Sequence, residues 1–153
     1  MPIEYRGINQ VRREIAFLKN FLRKGDKWMM DKVGKYALGV LLARTRAGRD
    51  KNGIGFRPKK DGSKSTLQES GKMLKDFHME ASAKVARIYV GTEIRGRITN
   101  FNLMLVHARG LRAGRGTGFQ MPVRDPMGFT RSEVAKIREF FRRLVKGKLK
   151  RRS

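Results

Sequence analysis

Apolar residues recur at spacings of three and four from the start of the chain. Ile8, Val11, Ile15, Leu18 and Leu22 mark one stripe, widened by Phe17 and Phe21, while Arg12, Arg13, Lys19, Arg23 and Lys24 fill the positions between. That period predicts an amphipathic helix with its apolar side on a core and its cations outward. Gly25 ends it, and Asp26 can cap a second helix running to about Arg44. Trp28, Met29, Val33, Tyr36, Ala37, Val40 and Leu41 form the expected buried side of that helix. From Thr45 to Thr66 the period disappears among Arg46, Gly48, Arg49, Asp50, Gly53, Gly55, Pro58, Asp61 and Gly62, which are loop formers. Phe56, the only large aromatic there, is expected to pin the loop to the core.

The period then changes to two. Phe77, Met79 and Ala81 alternate with Asp76, His78 and Glu80, and Val85 to Val90 is apolar on both sides up to Gly91. With a turn near Ser82–Lys84 between them, these segments predict an antiparallel hairpin. Ile98 to His107 returns to helical spacing through Ile98, Phe101, Met104 and Leu105, although Phe101 to Val106 also fits a strand. The last element opens at Thr130 with Glu133 three residues on, the spacing of a reciprocal cap. Val134, Ile137, Phe140, Phe141, Leu144 and Val145 form its apolar face, and Lys146 to Ser153 reads as a frayed basic tail. Residues 1–145 are thus expected to form one domain, with 146–153 appended.

Charge alters this picture more than hydropathy does. The formal net charge is +24, and the hydrophobic fraction of 39% lies under the roughly 45–50% of soluble domains, a figure that counts glycine. Self-repulsion on that scale opposes a compact monomer and attracts polyanions or acidic protein surfaces. From Arg131 onward ten Lys/Arg stand against two Glu, while residues 94–118 carry five Arg and no acid. Cysteine is absent, which excludes disulfide scaffolds and thiolate metal sites and suits a reducing compartment. Met1 to Arg6 has no apolar core of a secretory leader, and the longest apolar run, Ala37 to Ala43, is far short of the roughly 20 residues that cross a bilayer. A soluble protein with no membrane contact is expected.

Catalytic chemistry finds little to work with. His78 and His107 are far apart, no HExxH pair occurs, and no Glu-x-Lys stands beside clustered carboxylates as a magnesium-dependent nuclease would need. Asp50-Lys-Asn-Gly53 opens like a calcium loop but lacks the later ligands and the closing glutamate. Arg109 to Gly118 interleaves arginine with glycine without the P-loop or dinucleotide spacing. It suits a loop ordered by a partner, or backbone amides and arginines on phosphate. These features predict a non-enzymatic protein without cofactor or metal. Zinc-finger and aromatic RNA-binding signatures are missing, so any nucleic-acid contact would be non-specific.

A series of short motifs, in order, resembles the virion-morphogenesis or tail-completion family of tailed bacteriophages. It begins with Arg44-Thr-Arg-Ala-Gly-Arg-Asp-Lys-Asn-Gly53 and Phe56-Arg-Pro58, then Thr66-Leu67 and Ser70-Gly71-Lys-Met-Leu74. A hairpin ending in Val90-Gly91, Val106-His107-Ala-Arg-Gly110, and Met121-Pro-Val-Arg124 with Met127-Gly-Phe-Thr130 complete it. The motif positions are Asp50, Gly53, Phe56, Pro58, Gly71, His107, Gly110, Pro122, Arg124, Gly128, Phe129 and Thr130. Coverage runs from about residue 35 to 145, with Asp125-Pro126 and the basic segment after Lys146 departing from the family's pattern.

The resemblance implies an α+β fold, an antiparallel sheet packed by N-terminal and C-terminal helices, with long basic loops. It implies a structural subunit that finishes the tail and supports head–tail joining. Such a subunit would form a homo-oligomeric ring, six-fold by expectation, in the virion neck after synthesis in the host cytoplasm. Its partners would be other neck, connector and tail proteins, with non-specific contact to double-stranded DNA. Arg109, Arg112, Arg115, Arg124, Arg142, Arg143, Lys146 and Lys148 are the residues expected to face a partner or DNA. Arg124 would anchor the signature loop, Met121 to Thr130, through charge-assisted bonds to carboxylates or carbonyls, with an intrasubunit salt bridge as the other outcome, and Gly128 would permit the turn before the helix. Two other readings stay open at this point: a non-specific nucleic-acid-binding protein, and a tail-terminator or adaptor subunit at another neck layer.

Overall fold

The computed structural model describes residues 6–58, 62–63, 72–92, 94–95, 98–113 and 119–151. Gly71, Arg115 and the 64–71 part of the motif series lie outside these residues. In chain order the elements are α1 (Arg6–Lys24), α2 (Lys27–Arg46), α3 (Lys72–Lys75), β1 (Phe77–Ala81) and β2 (Ala86–Val90). They continue with β3 (Ile94–Arg95), β4 (Ile98–Thr99), α4 (Asn100–Arg109), β5 (Arg112–Ala113), β6 (Phe119–Gln120) and α5 (Arg131–Lys150). The fold is α+β, with helices at both ends. Among the described residues the strands form three separate antiparallel pairs, β1–β2, β3–β4 and β5–β6, rather than one sheet.

Local chemistry accounts for the element boundaries. Asp26 sits in extended backbone and accepts from the Met29 amide at 3.1 Å, which opens α2. Thr99 does the same for α4 through the Asn102 amide, so helix rather than strand wins after Ile98. Thr130 and Glu133 complete the reciprocal cap of α5. The β1–β2 hairpin pairs Phe77 with Val90 and Ala81 with Ala86, and its two strands lie against α2. Gly34 makes that approach possible, because a Cβ there would stand 2.5 Å from Met79 Sδ.

The core lies between α2, α3, the hairpin and α4. Leu41, Met73, Leu74, Phe77, Val90 and Met104 form it, with Leu38, Ile88, Leu105, Met127 and Phe129 packed around. Each such side chain stabilises the fold by roughly 1.5–3 kcal/mol on full burial. The helix α5 docks on α2 through Phe140, whose ring stacks on Tyr36 at 4.3 Å between centroids.

Three expectations need correction. The stripe of α1 is not buried: Val11, Ile15, Leu18 and Leu22 are 53%, 47%, 41% and 75% exposed. From Val11 onward, Phe17 and Phe21 turn toward the body, with Phe21 reaching Phe141 of α5 at 5.7 Å, and among the described residues no second element lies over the rest of the stripe. Trp28 is also half exposed, lying under the ammonium groups of Lys32 and Lys148 at 5.8 and 5.1 Å. Lastly, the segment expected to fray continues as helix to Lys150, held where Lys148 pairs with Asp26.

Candidate functional site

The motif segments converge on the C-terminal end of α2. Ala37, Leu41 and Arg44 follow one another at helical spacing, so Arg44 enters the interior as the last member of a buried stripe. Its guanidinium donates through Nη1 to the Gly128 carbonyl at 2.9 Å and to Glu133 Oε2 at 2.7 Å. Nη2 donates to the carbonyl of Pro126, a residue fully enclosed in the fold. One buried cation thereby fixes both the signature loop and the start of α5. The same Glu133 oxygen accepts from the Thr130 amide at 2.8 Å, while Thr130 Oγ1 accepts from the Glu133 amide at 3.2 Å.

The loop after α2 closes on itself before meeting the others. Asp50 Oδ1 accepts from the amides of Asn52 and Ile54, both at 2.8 Å, and Gly53 completes the turn at φ +81°. That carboxylate organises its own backbone, which explains the resemblance of Asp50–Gly53 to the opening of a calcium loop. Phe56 is buried and pins the loop as expected, while Pro58 is exposed. Lys51 bridges to the signature loop twice, through its amide to the Asp125 carbonyl at 2.9 Å and through Nζ to Asp125 Oδ2 at 2.8 Å. Hydrogen bonding to Asp125 raises the Lys51 pKa above the ordinary lysine value.

The end of α4 supplies the third strand of this knot. Gly110 caps the helix at φ +61° and is packed so closely that a Cβ would stand 2.8 Å from Val123 Cγ2 and 2.9 Å from the Met121 carbonyl. The His107 carbonyl accepts from the Arg124 amide at 2.8 Å, so His107 contributes backbone geometry here. Arg124 is buried and donates through Nη2 to the Arg57 carbonyl at 3.2 Å. Arg124 is thus anchored within the subunit by a bond to a carbonyl, and it does not face outward. Gly128 has the positive φ, +107°, needed at the turn before Thr130, and Phe129 packs on the core. Pro122 is half-buried in the stretch leading to Arg124.

The expected partner-facing residues divide accordingly. Arg109 and Arg112 are exposed beside the β5–β6 pair, and Arg142, Arg143 and Lys146 are exposed on α5. Arg142 makes a long contact of 3.7 Å to Glu139, and Arg143 lies over Phe140 at 6.0 Å, so both heads remain in solvent. Lys148 is taken up internally by Asp26. Burial opposes ionisation of Asp26, but hydrogen bonds from Lys148 and the Met29 amide outweigh it and hold its pKa below the usual carboxylate value.

The outer side of α5 carries Arg131, Lys136, Arg138, Arg142, Arg143, Lys146 and Lys150, all exposed, against the single acid Glu139. Over 20 residues this makes a cationic rod about 30 Å long. No family model, curated protein or solved structure matches this chain. Among the described residues no group of three or more His, Asp or Glu could hold a metal, and no helix is long and apolar enough to cross a membrane. Asp76, buried beside β1, pairs with Nε2 of His78 at 2.8 Å and accepts from Asn100 Nδ2 at 3.0 Å, fastening the hairpin to α4.

The buried Arg44–Glu133 pair is not legible in the sequence, where a motif position and a helix cap already account for these two residues. A signal for it exists all the same: a cation continuing an apolar stripe, in step with Ala37 and Leu41.

Proposed function

We propose that this chain is a non-enzymatic structural subunit of a tailed-phage virion, a tail-completion protein that finishes the tail and supports head–tail joining. One observation carries the reading. Motif residues 44–58, 106–110 and 121–130, far apart in sequence, meet in a single hydrogen-bonded knot around Arg44 and Arg124. Their order along the chain is thus also one spatial unit, as expected if the resemblance reflects a shared fold. The knot does no chemistry; it sets the direction in which α5 presents its cations. A subunit carrying +24 is better accommodated where acidic neighbours or packaged DNA screen it than as an isolated monomer. We further propose a homo-oligomeric ring, six-fold by the resemblance, placed in the virion neck.

The cationic face of α5 favours a second reading, a protein that binds nucleic acid non-specifically outside any particle. Electron cryomicroscopy of particles or isolated tails carrying the chain separates the two. Ring density at the tail end or neck, fitted by the α2–hairpin–α5 body, is the expected result. Absence from particles, together with salt-sensitive binding of random duplex by a monomer, would replace the neck reading with the second.

A further inference from the structure

The exposed stripe of α1 and the cations beside it form a surface that neither the fold nor the neck reading uses. Val11, Ile15, Leu18 and Leu22 follow spacings of four, three and four, so they line one ridge about 17 Å long. One border of the ridge is Phe17 and Phe21, already engaged with each other and with Phe141 of α5. The other border is Arg12, Lys19 and Arg23, exposed and spaced by seven and four, which makes a parallel row of positive charge. A ridge of this kind fits a partner element with apolar anchors at helical spacing and carboxylates along one edge only.

The described residues do not readily supply that edge. Outside α1 their carboxylates are engaged: Asp26 by Lys148, Asp31 by Lys35, Asp50 by the Asn52 and Ile54 amides, Asp76 by His78, Asp125 by Lys51, and Glu133 by Arg44. Glu80 accepts from Tyr89, and Glu139 lies beside Arg142 within the basic rod. A second copy laid on the ridge would bring Arg12, Lys19 and Arg23 of each α1 near one another against one Glu14 apiece. Like charges across an interface oppose such pairing.

We infer that α1 is a docking helix for an acidic amphipathic helix of another protein, seated on the Val11–Leu22 ridge with its carboxylates against Arg12, Lys19 and Arg23. This is independent of where in a particle the chain resides. The test uses the full chain and two labelled helical peptides with the same leucine stripe, one edged with glutamate and the other with lysine, followed by fluorescence anisotropy. The glutamate-edged peptide should bind, and the lysine-edged one should bind at least about ten-fold more weakly. Ile15→Asn, Leu18→Asn and Leu22→Asn together should abolish binding while leaving the melting temperature unchanged. Reversal by Arg12→Glu, Lys19→Glu and Arg23→Glu should exchange the preference between the two peptides. Equal binding of both peptides, no binding of either, or a dimer that the three Asn substitutions dissolve would each overturn the assignment. So would tighter binding to phosphatidylglycerol vesicles than to the glutamate-edged peptide.

Discussion

Arg44 and Glu133 meet at 2.7 Å with both side chains almost wholly removed from water, joining the end of α2 to the first turn of α5. Removing one partner of a buried pair leaves the other charge uncompensated, at a cost of about 3–5 kcal/mol. Arg44→Ala should therefore lower unfolding free energy by about that amount, a large share of the roughly 5–15 kcal/mol typical of a domain. Glu133→Gln keeps an acceptor for both Thr130 and Arg44 and should cost less. Urea denaturation of the single variants and of the Arg44→Ala, Glu133→Ala double variant measures the coupling. Additive effects within about 0.3 kcal/mol would mean that the pair does not act as a unit.

Asp26 joins the other ends of the same helices. Its pKa is depressed in the folded protein, so its charge contributes stability above its unfolded pKa of about 3.9. That contribution is lost as pH falls through the folded value. Asn is also a good N-cap, so Asp26→Asn isolates the charge from the cap. The variant should be less stable than the parent at neutral pH, with a gap that closes below about pH 4. A gap constant from neutral to strongly acidic pH would count against the Lys148 pairing.

Gly110 is predicted to be intolerant of any side chain. Its positive φ and the nearness of Val123 and the Met121 carbonyl together make Gly110→Ala cost about 1–3 kcal/mol, measurable as a fall in melting temperature. Gly147→Ala, on the open side of α5, should instead leave stability equal or higher. A similar response at both positions would show that the α4–signature-loop approach is looser than described.

The basic rod can be tested without disturbing the fold, since Arg142, Arg143 and Lys146 are exposed. Changing all three to Glu should leave the circular-dichroism melt within about 1 kcal/mol of the parent. If α5 tracks a duplex, the slope of log K against log salt should fall by about 0.9 for every phosphate that is no longer neutralised. A charge-reversed protein that binds random duplex with an unchanged slope would move the nucleic-acid surface elsewhere.

Caps and periods make much of the fold legible in the sequence. Asp26, Thr130 with Glu133, and the alternation from Asp76 to Ala81 each act within a few residues, so their signal is local and survives in the sequence. Burial of α1 is not legible, because a wide apolar stripe specifies that something covers it and not that the same chain does. Lys148 and Arg124 look outward by composition, yet both find acceptors distant in sequence, Asp26 and the Arg57 carbonyl. Residue type along the chain carries no record of such long-range partners. Arg44 is the intermediate case, visible only when a charged residue is read as part of an apolar period.

The knot at Arg44 also sets a schedule for the newborn chain. Its acceptors are the Pro126 and Gly128 carbonyls and the Glu133 carboxylate, which lie 82, 84 and 89 residues downstream. At synthesis rates of about 5–20 residues per second, α2 waits on the order of ten seconds with that guanidinium unanswered. The domain therefore closes only after residue 133 has been made, and a chain halted before Glu133 would leave the ribosome unable to lock.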